Sequence, residues 1–217
     1  MTRAGYDYWM FDLDGTLVDV EDAYIRTHFD RVGRRLDRSF SDAEARALWY
    51  GIGGDRETIL AEIGVDRDAF WHAFDAVERP AARIAATSVY DDALPVLDAI
   101  EGPTGLVTHC QPRLTHPILA ELGLRDRFDA VVCCSDDIGW KPDPAPVTRA
   151  MADLGVSDRD HGVLIGDGPC DVGAARNAGL ECIHIDRHGH RDRAANSADW
   201  AVDRLDSRPI TSGLEAG

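Results

Sequence analysis

The stretch that decides the fold is residues 8–19, YWMFDLDGTLVD. Tyr8 to Phe11 is a short apolar run that leads directly into Asp12 and Asp14. Acidic residues followed by Gly15 interrupt the apolar run, which predicts a strand that opens into a turn. Because open parallel sheets bind ligands at the carboxyl ends of their strands, this stretch also predicts a polar site at its end.

The next part of the chain, from about Asp19 to Arg79, has helical periodicity. Ser41 and Glu44 have the spacing of a capping box in front of an apolar stretch. Farther on, Ile59, Leu60 and Ile63 recur at helical intervals. No strand pattern interrupts this block, so it predicts an all-helical segment.

After Val89 the pattern changes to strands that alternate with helices. Strands are predicted at 105–108, 130–134, 162–166 and 181–185, with helices at 94–100, 114–122, 145–154 and 172–178. Such alternation predicts a parallel sheet covered by helices on both faces. Residues 199–217 predict one short edge strand and then a polar tail. The expected fold is therefore α/β: a core of residues 1–18 and 85–217 with an inserted all-helical domain, residues 19–84.

Polar residues follow the predicted strands of the core. They are Asp12 and Asp14 after the first strand, Thr108 on the second, Lys141 after the third, and Asp167 and Asp171 after the fourth. Several carboxylates at one edge repel one another unless a cation lies among them. Oxygen ligands of this kind suit Mg²⁺. An aspartate there can attack phosphorus, a second can protonate the leaving oxygen, and a lysine and a hydroxyl can hold the phosphoryl oxygens.

Four segments resemble the four motifs of the haloacid dehalogenase superfamily, in order and over nearly the whole chain. They are Asp12-Leu-Asp14-Gly-Thr, Thr108 in Gly-Leu-Val-Thr-His, Lys141-Pro-Asp-Pro, and Gly-Asp167-Gly-Pro-Cys-Asp171. The resemblance implies a Rossmannoid core with a helical C1 cap, similar to phosphoglycolate phosphatases and β-phosphoglucomutases. It implies a phosphatase that acts on a small phosphorylated metabolite through an aspartyl phosphate.

The resemblance also implies a role for each site residue. Asp12 would be the nucleophile, Asp14 the general acid and base, and Lys141 a third catalytic residue. The phosphate would be bound by Thr108, His109 and Lys141, and Mg²⁺ by Asp12, the backbone carbonyl of Asp14, Asp167 and Asp171.

Two positions depart from the usual family pattern, and one cap residue is a candidate substrate contact. His109 stands where a small polar residue or Asn is more usual, and Gly168 where Ser or Thr is frequent. Both could alter substrate contacts or supporting hydrogen bonds. Arg56, beside the glycine-rich run Gly51–Gly54, could contact the substrate; an exposed turn between helices is an equal alternative.

Three other functions share some of these sequence features. A phosphomutase of the β-phosphoglucomutase type has the same motifs, so the motifs do not exclude it. A dehalogenase is disfavoured because Asp14 is present. A receiver-type signalling module is disfavoured by the chain length of 217 residues and by the helical insert.

Composition limits the partners and the compartment. The net charge is −16, and no run is rich in Lys or Arg, which argues against nucleic acid and anionic membranes. No apolar stretch has the length of a membrane helix or a signal peptide, and the five cysteines form no CxxC pair. We expect a cytoplasmic protein, monomeric or homodimeric.

The basic residues carry a second signal. Of the 23 lysines and arginines, only Lys141 is a lysine. High acidity with little lysine predicts a halophilic protein, because concentrated salt screens the self-repulsion of excess charge. A GC-rich genome would also explain the scarcity of lysine.

Salt adaptation makes a direct prediction. The melting temperature should rise steadily between about 0.1 M and about 1 M KCl, where the Debye length falls from about 10 Å to about 3 Å. Thermal unfolding followed by circular dichroism measures this. A melting temperature that is flat or falls over that range would favour codon bias instead.

Overall fold

A computed structural model describes residues 5–52, 55–157, 161–188 and 197–214. The chain forms two compact units, one of residues 1–19 and 88–217 and one of residues 20–87. No helix in the described part of the chain has the length and apolar character needed to cross a membrane.

The two units differ in secondary structure. In chain order the elements are β1 (Tyr8–Phe11), β2 (Val18–Val20), α1 (Asp22–Arg35), α2 (Asp42–Tyr50), α3 (Arg56–Glu62), α4 (Arg67–Val77), α5 (Pro80–Ala85), β3 (Thr87–Val89), α6 (Ala93–Ala99), β4 (Thr104–Thr108), α7 (Pro112–Glu121), β5 (Ala130–Cys133), α8 (Ala145–Leu154), β6 (Gly162–Gly166), α9 (Pro169–Ala178), β7 (Glu181–Ile185), β8 (Trp200–Val202) and α10 (Arg208–Leu214). A short 3₁₀ turn, Arg125–Arg127, precedes β5.

The larger unit is built on a six-stranded sheet in the order β5-β4-β1-β6-β7-β8. Every neighbouring pair in this sheet is parallel. Strand β1 lies inside the sheet between β4 and β6, and all four of its residues are buried. A parallel strand with both faces covered needs apolar residues throughout, which explains the unbroken run YWMF.

The two faces of β1 pack into separate cores. Trp9 and Phe11 belong to a cluster that includes residues of α6, α7 and α10. Tyr8 and Met10 belong to the other cluster, with residues of α8 and α9. Successive residues of a strand point to opposite faces, so one four-residue strand contributes to both layers. The α/β fold with a parallel sheet between two helical layers is confirmed.

The smaller unit has its own aromatic core. Phe29 and Phe70 are buried at its centre, with ring centroids 6.1 Å apart. The capping box that the sequence predicted is present: Ser41 Oγ accepts from the Glu44 N–H, and the Glu44 carboxylate accepts from the Ser41 N–H. These contacts fix the start of α2 within the helical block.

The sequence prediction was wrong in two places. The polar tail contains helix α10, and Leu205 and Ile210 are fully buried in the core. Two isolated apolar residues, of which only Ile210 lies in the helix, are too few to show a periodicity. The strands β2 and β3, which pair with each other, were also missed. Each has three residues, too few for an alternating pattern.

Candidate active site

The polar residues of the motifs lie at one edge of the sheet. Asp12 follows β1 directly, Thr108 is the last residue of β4, and Asp167 follows β6 directly. Because β4, β1 and β6 are adjacent and parallel, their carboxyl ends lie side by side. The backbone N–H of Asp12 donates to Ile165 O at 2.9 Å, which continues the β1–β6 ladder into the site.

Lys141 is the centre of this edge. Its Nζ donates to Asp12 Oδ1 at 2.8 Å, Asp171 Oδ1 at 2.6 Å and the Val107 carbonyl at 2.8 Å. The side chain is 1% exposed, so all three ammonium protons are used inside the protein. The single lysine of the chain therefore links the loop after β5 to β4, to the end of β1 and to α9.

Three carboxylates surround one possible cation position. Oxygens of Asp12, Asp167 and Asp171 all lie within 4.8 Å of one another, and all three residues are buried. One lysine cannot neutralise three carboxylates, so the cluster keeps excess negative charge when all are ionised. An all-oxygen set of this kind fits a hard divalent cation such as Mg²⁺.

Glycine is required beside this cluster. Gly15 has a φ of +78°, and a Cβ at this position would lie 2.1 Å from Asp167 Oδ2. A side chain would therefore force the carboxylate of Asp167 out of place. The glycine of Asp14-Gly15-Thr16 lets the turn after β1 approach the acidic cluster closely.

The protonation of the buried pair follows from its surroundings. Burial raises the pKa of Asp12 to about 6, and the Lys141 ammonium offsets only part of this effect. Burial lowers the pKa of Lys141, but Asp12 and Asp171 outweigh it and hold that pKa well above its ordinary value. Lys141 is therefore a permanent cation, whereas an added cation would favour the ionised form of Asp12.

Asp171 is held by the start of α9. Its Oδ2 accepts from the Gly168 N–H at 3.0 Å, while Oδ1 accepts from Lys141. A Cβ at Gly166 would lie 2.3 Å from Asp171 Cγ, so the end of β6 also has to be glycine. Gly168 thus contributes its backbone rather than a side chain, and the departure from Ser or Thr leaves this contact in place.

The other residues predicted from motifs one and two lie at the same edge. Asp14 is partly exposed, on a turn in which Gly15 N–H donates to Val18 O at 2.9 Å. Thr108 is buried, and its Oγ1 accepts from the Cys110 N–H at 3.0 Å. The His109 ring lies edge-on to Trp140, with centroids 5.6 Å apart. Trp140 is 44% exposed.

Arg56 lies in the helical unit and has partners there. Its guanidinium donates to the carbonyls of Leu48 at 2.9 Å and Trp49 at 2.7 Å. These carbonyls belong to the last turn of α2, where helical acceptors lack intrahelical donors. This supports a capping role for Arg56; its role as a substrate contact stays a prediction. Gly53 and Gly54, the last two residues of the glycine-rich run, lie outside the described residues.

The sequence did not predict a buried ion pair that is hydrogen-bonded to the first motif. Arg187 donates to both carboxylate oxygens of Asp92 at 2.7 Å and to the carbonyl of Thr16 at 3.1 Å. The side chains of Arg187 and Asp92 are 5% and 0% exposed. Asp92 also accepts from the Leu205 N–H at 2.8 Å. No sequence spacing signals a pair 95 residues apart, so only the fold reveals it.

Loss of this ion pair should destabilise the protein. Burial raises the pKa of Asp92, but the bonds from Arg187 and Leu205 outweigh it and hold the pKa below its ordinary value. The pair therefore stabilises the fold at neutral pH and loses this effect as the pH falls through that lowered pKa. We expect Asp92→Asn to cost roughly 3 kcal/mol in urea unfolding at pH 7, because Arg187 stays buried without its counter-charge.

The control for this prediction is Asp98→Asn, which breaks the exposed pair between Asp98 and Arg127. Exposed pairs contribute about 1 kcal/mol or less. Equal losses in the two variants would contradict a structural role for the buried pair.

Comparison with known proteins agrees with this geometry. The family model described as haloacid dehalogenase-like hydrolase matches residues 9–185. An N-acetylmuramic acid 6-phosphate phosphatase of Pseudomonas aeruginosa is 30% identical over 210 residues, covering 92% of this chain and 90% of its own. A phosphoglycolate phosphatase of Chromobacterium violaceum is 32% identical over 212 residues, covering 90% and 91%.

A solved structure shows the same fold. The haloacid dehalogenase-like family protein of Streptococcus pneumoniae superposes with a TM-score of 0.75 at 19% identity, covering 94% of this chain and 96% of its own. The match over residues 9–185 and the relatives that are phosphatases establish that the chain belongs to the haloacid dehalogenase-like hydrolases and is a phosphatase of that family.

Proposed function

We propose that the protein is a Mg²⁺-dependent phosphatase that hydrolyses small phosphate monoesters through a phosphorylated Asp12. The observation that carries this proposal is the contact of Lys141 with both Asp12 and Asp171, beside the acidic cluster of Asp12, Asp167 and Asp171. It supports a site in which Asp12 would be the nucleophile, Lys141 a permanent cation, and the neighbouring carboxylates the ligands of a cation.

In the proposed reaction, Asp12 and Asp14 act in sequence. An Asp12 carboxylate oxygen attacks phosphorus, the bond from phosphorus to the ester oxygen breaks, and Asp14 gives that oxygen its proton. Asp14 then takes a proton from water, whose oxygen attacks the same phosphorus and releases phosphate and the Asp12 carboxylate. Thr108 and His109 would hold the phosphoryl oxygens during both steps, and Lys141 would join them by exchanging one of its three protein acceptors for a phosphoryl oxygen.

The acidic cluster would hold the metal. Asp12, Asp167 and Asp171, with the backbone carbonyl of Asp14, are the proposed Mg²⁺ site, with Asp171 in a supporting position. Bound Mg²⁺ would neutralise charge on the phosphoryl group and on the carboxylates. The close approach of Gly15 to Asp167 supports a site built to hold its carboxylate in one place.

We infer that the substrates are phosphate monoesters that also carry a carboxylate. The relatives are phosphatases of N-acetylmuramic acid 6-phosphate and of phosphoglycolate, two compounds of different size that share both groups. Hydrolysis of phosphoglycolate and N-acetylmuramic acid 6-phosphate should exceed that of their carboxylate-free counterparts, ethyl phosphate and N-acetylglucosamine 6-phosphate. Phosphate release with and without Mg²⁺ measures this.

The same assay tests the alternatives. No phosphate release from any monoester in the presence of Mg²⁺ would contradict the phosphatase reaction. Equal rates within each matched pair would leave the phosphatase in place and overturn the carboxylate preference. Conversion of a sugar phosphate to its isomer without phosphate release would favour a phosphomutase.

The role of Asp14 predicts a dependence on the leaving group. We expect Asp14→Asn to slow hydrolysis of an alkyl phosphate by roughly 100-fold, because the alkoxide needs a proton as it leaves. Hydrolysis of p-nitrophenyl phosphate should fall by less than about tenfold, because its leaving group is already a stable anion. Steady-state kcat on both substrates measures the difference. Equal losses would argue against an acid role for Asp14.

A further inference from the structure

A cleft of about 460 Å³ opens in the helical unit, away from the residues of the four motifs along the chain. It lies between the last turn of α1 and the end of α4. It is lined by Arg31, Arg34, Arg35, Ala76, Val77, Glu78 and Arg79. Four arginines against one glutamate give this cleft a strong positive charge within a chain of net charge −16.

These four arginines lack the carboxylate partners that other arginines of the same unit have. Arg26 pairs with Asp42, Arg38 with Glu44, and Arg46 with Asp22. Within residues 5–52, 55–157, 161–188 and 197–214, none of the four cleft arginines forms an ion pair. The chain has 39 acidic residues. Four arginines that line one cleft without forming an ion pair therefore distinguish this cleft from the rest of the helical unit.

One hydrogen-bond donor that belongs to a lining residue of the cleft has no acceptor. Arg31 Nη1 is shielded from solvent and has no hydrogen-bond acceptor among the described residues. A buried donor without an acceptor is costly, and a change of the Arg31 rotamer toward an anion in the cleft would give Nη1 an acceptor. The Glu78 carboxylate does not serve Arg31, because it accepts instead from the Tyr24 hydroxyl and the Arg79 N–H.

Helix electrostatics explain only part of this arrangement. Arg34 and Arg35 are in the last turn of α1, where positive charge is favourable. Arg79 follows α4, and Arg31 is a full turn earlier in α1 and partly buried. The four side chains come from two segments about 45 residues apart in sequence, which a helix dipole does not bring together.

We propose that this cleft binds a small anion that carries two or more phosphate groups. Guanidinium groups match phosphate oxygens in bidentate geometry, and four of them provide more donors than one phosphate can accept from. The volume lies in the range of small-molecule sites, roughly 300–1,000 Å³. An inorganic oligophosphate and a nucleoside polyphosphate share this chemistry.

The test is calorimetric titration of the full-length protein with tripolyphosphate, without added metal. The variant Arg34→Gln/Arg35→Gln removes two exposed guanidinium groups of the cleft. Arg67→Gln is the matched control, because it removes an exposed arginine of α4 outside the cleft. Tripolyphosphate should bind the wild type and Arg67→Gln with similar Kd, and the double variant at least roughly tenfold more weakly.

A second variant and two further probes complete the test. Arg31→Gln should weaken binding to a similar extent, and unchanged circular dichroism shows that each variant is folded. Orthophosphate should bind roughly tenfold more weakly than tripolyphosphate. ATP binding tighter than tripolyphosphate assigns the site to nucleotides, and weaker binding assigns it to inorganic oligophosphates. Absence of binding to the wild type, unchanged binding in the cleft variants, or equal binding of orthophosphate overturns the proposal.

Discussion

Asp12→Asn should reduce phosphate release by at least about 10³-fold while leaving the fold intact. The amide has nearly the shape of the carboxylate and can still accept a hydrogen bond from Lys141, but it cannot form an acyl phosphate. Turnover of p-nitrophenyl phosphate with Mg²⁺ measures the effect. Asp153→Asn, which changes an exposed aspartate of α8 paired with Arg149, should retain wild-type activity.

The same variant should be more stable than the wild type in the absence of metal. Because burial raises the pKa of Asp12 to about 6, the neutral form is favoured in the folded protein. Neutral Asp12 stabilises the folded protein, and this stabilisation is complete below the ordinary pKa near 4. It is lost as the pH rises through about 6. At pH 8 we expect Asp12→Asn to gain on the order of 2 kcal/mol in metal-free urea unfolding. A loss of stability would contradict an excess of buried negative charge.

Lys141→Arg should have the second large effect, although the charge is kept. The compact ammonium group of Lys141 donates hydrogen bonds to three acceptors, and the lysine side chain is 1% exposed. A planar guanidinium is larger and cannot place three donors at those positions. We expect kcat/KM to fall by at least about 100-fold and the melting temperature to fall as well.

The matched control for Lys141→Arg is Arg149→Lys, the reverse exchange at an exposed ion pair. It should change neither kcat/KM nor the melting temperature, because exposed pairs contribute little. Near-native activity of Lys141→Arg would show that the lone lysine of the chain is not a requirement of the site.

The core of the fold could be predicted because its signals are local. Strands buried on both faces, such as Tyr8–Phe11, are continuous apolar runs, and each helix between them has its own periodicity. The three-residue strands β2 and β3 and the helix α10 carry too few residues for such a pattern. Exposure is not marked in the sequence either, since Trp200 lies 47% exposed on the edge strand β8.

The positions of several site residues could be predicted from the sequence, but the contacts between them could not. Asp12, Thr108 and Asp167 stand at strand ends in the sequence, so a parallel sheet places them together. The contacts of Lys141 with Asp12 and Asp171 span 129 and 30 residues and depend on the fold. The Arg187–Asp92 pair and the arginine cleft could not be predicted, because arginine and aspartate are common on any surface and no spacing marks them.

The most direct test of the central claim is to trap the phosphorylated enzyme. The protein is mixed with a phosphate monoester and Mg²⁺, quenched in acid within the first turnover, digested and analysed by mass spectrometry. An acyl phosphate survives acid and is removed by hydroxylamine, which distinguishes it from a phosphoserine. We expect phosphate on the peptide that contains Asp12, lost after hydroxylamine and absent in Asp12→Asn. Rapid phosphate release with no labelled peptide, or label on any other residue, would contradict Asp12 as the nucleophile.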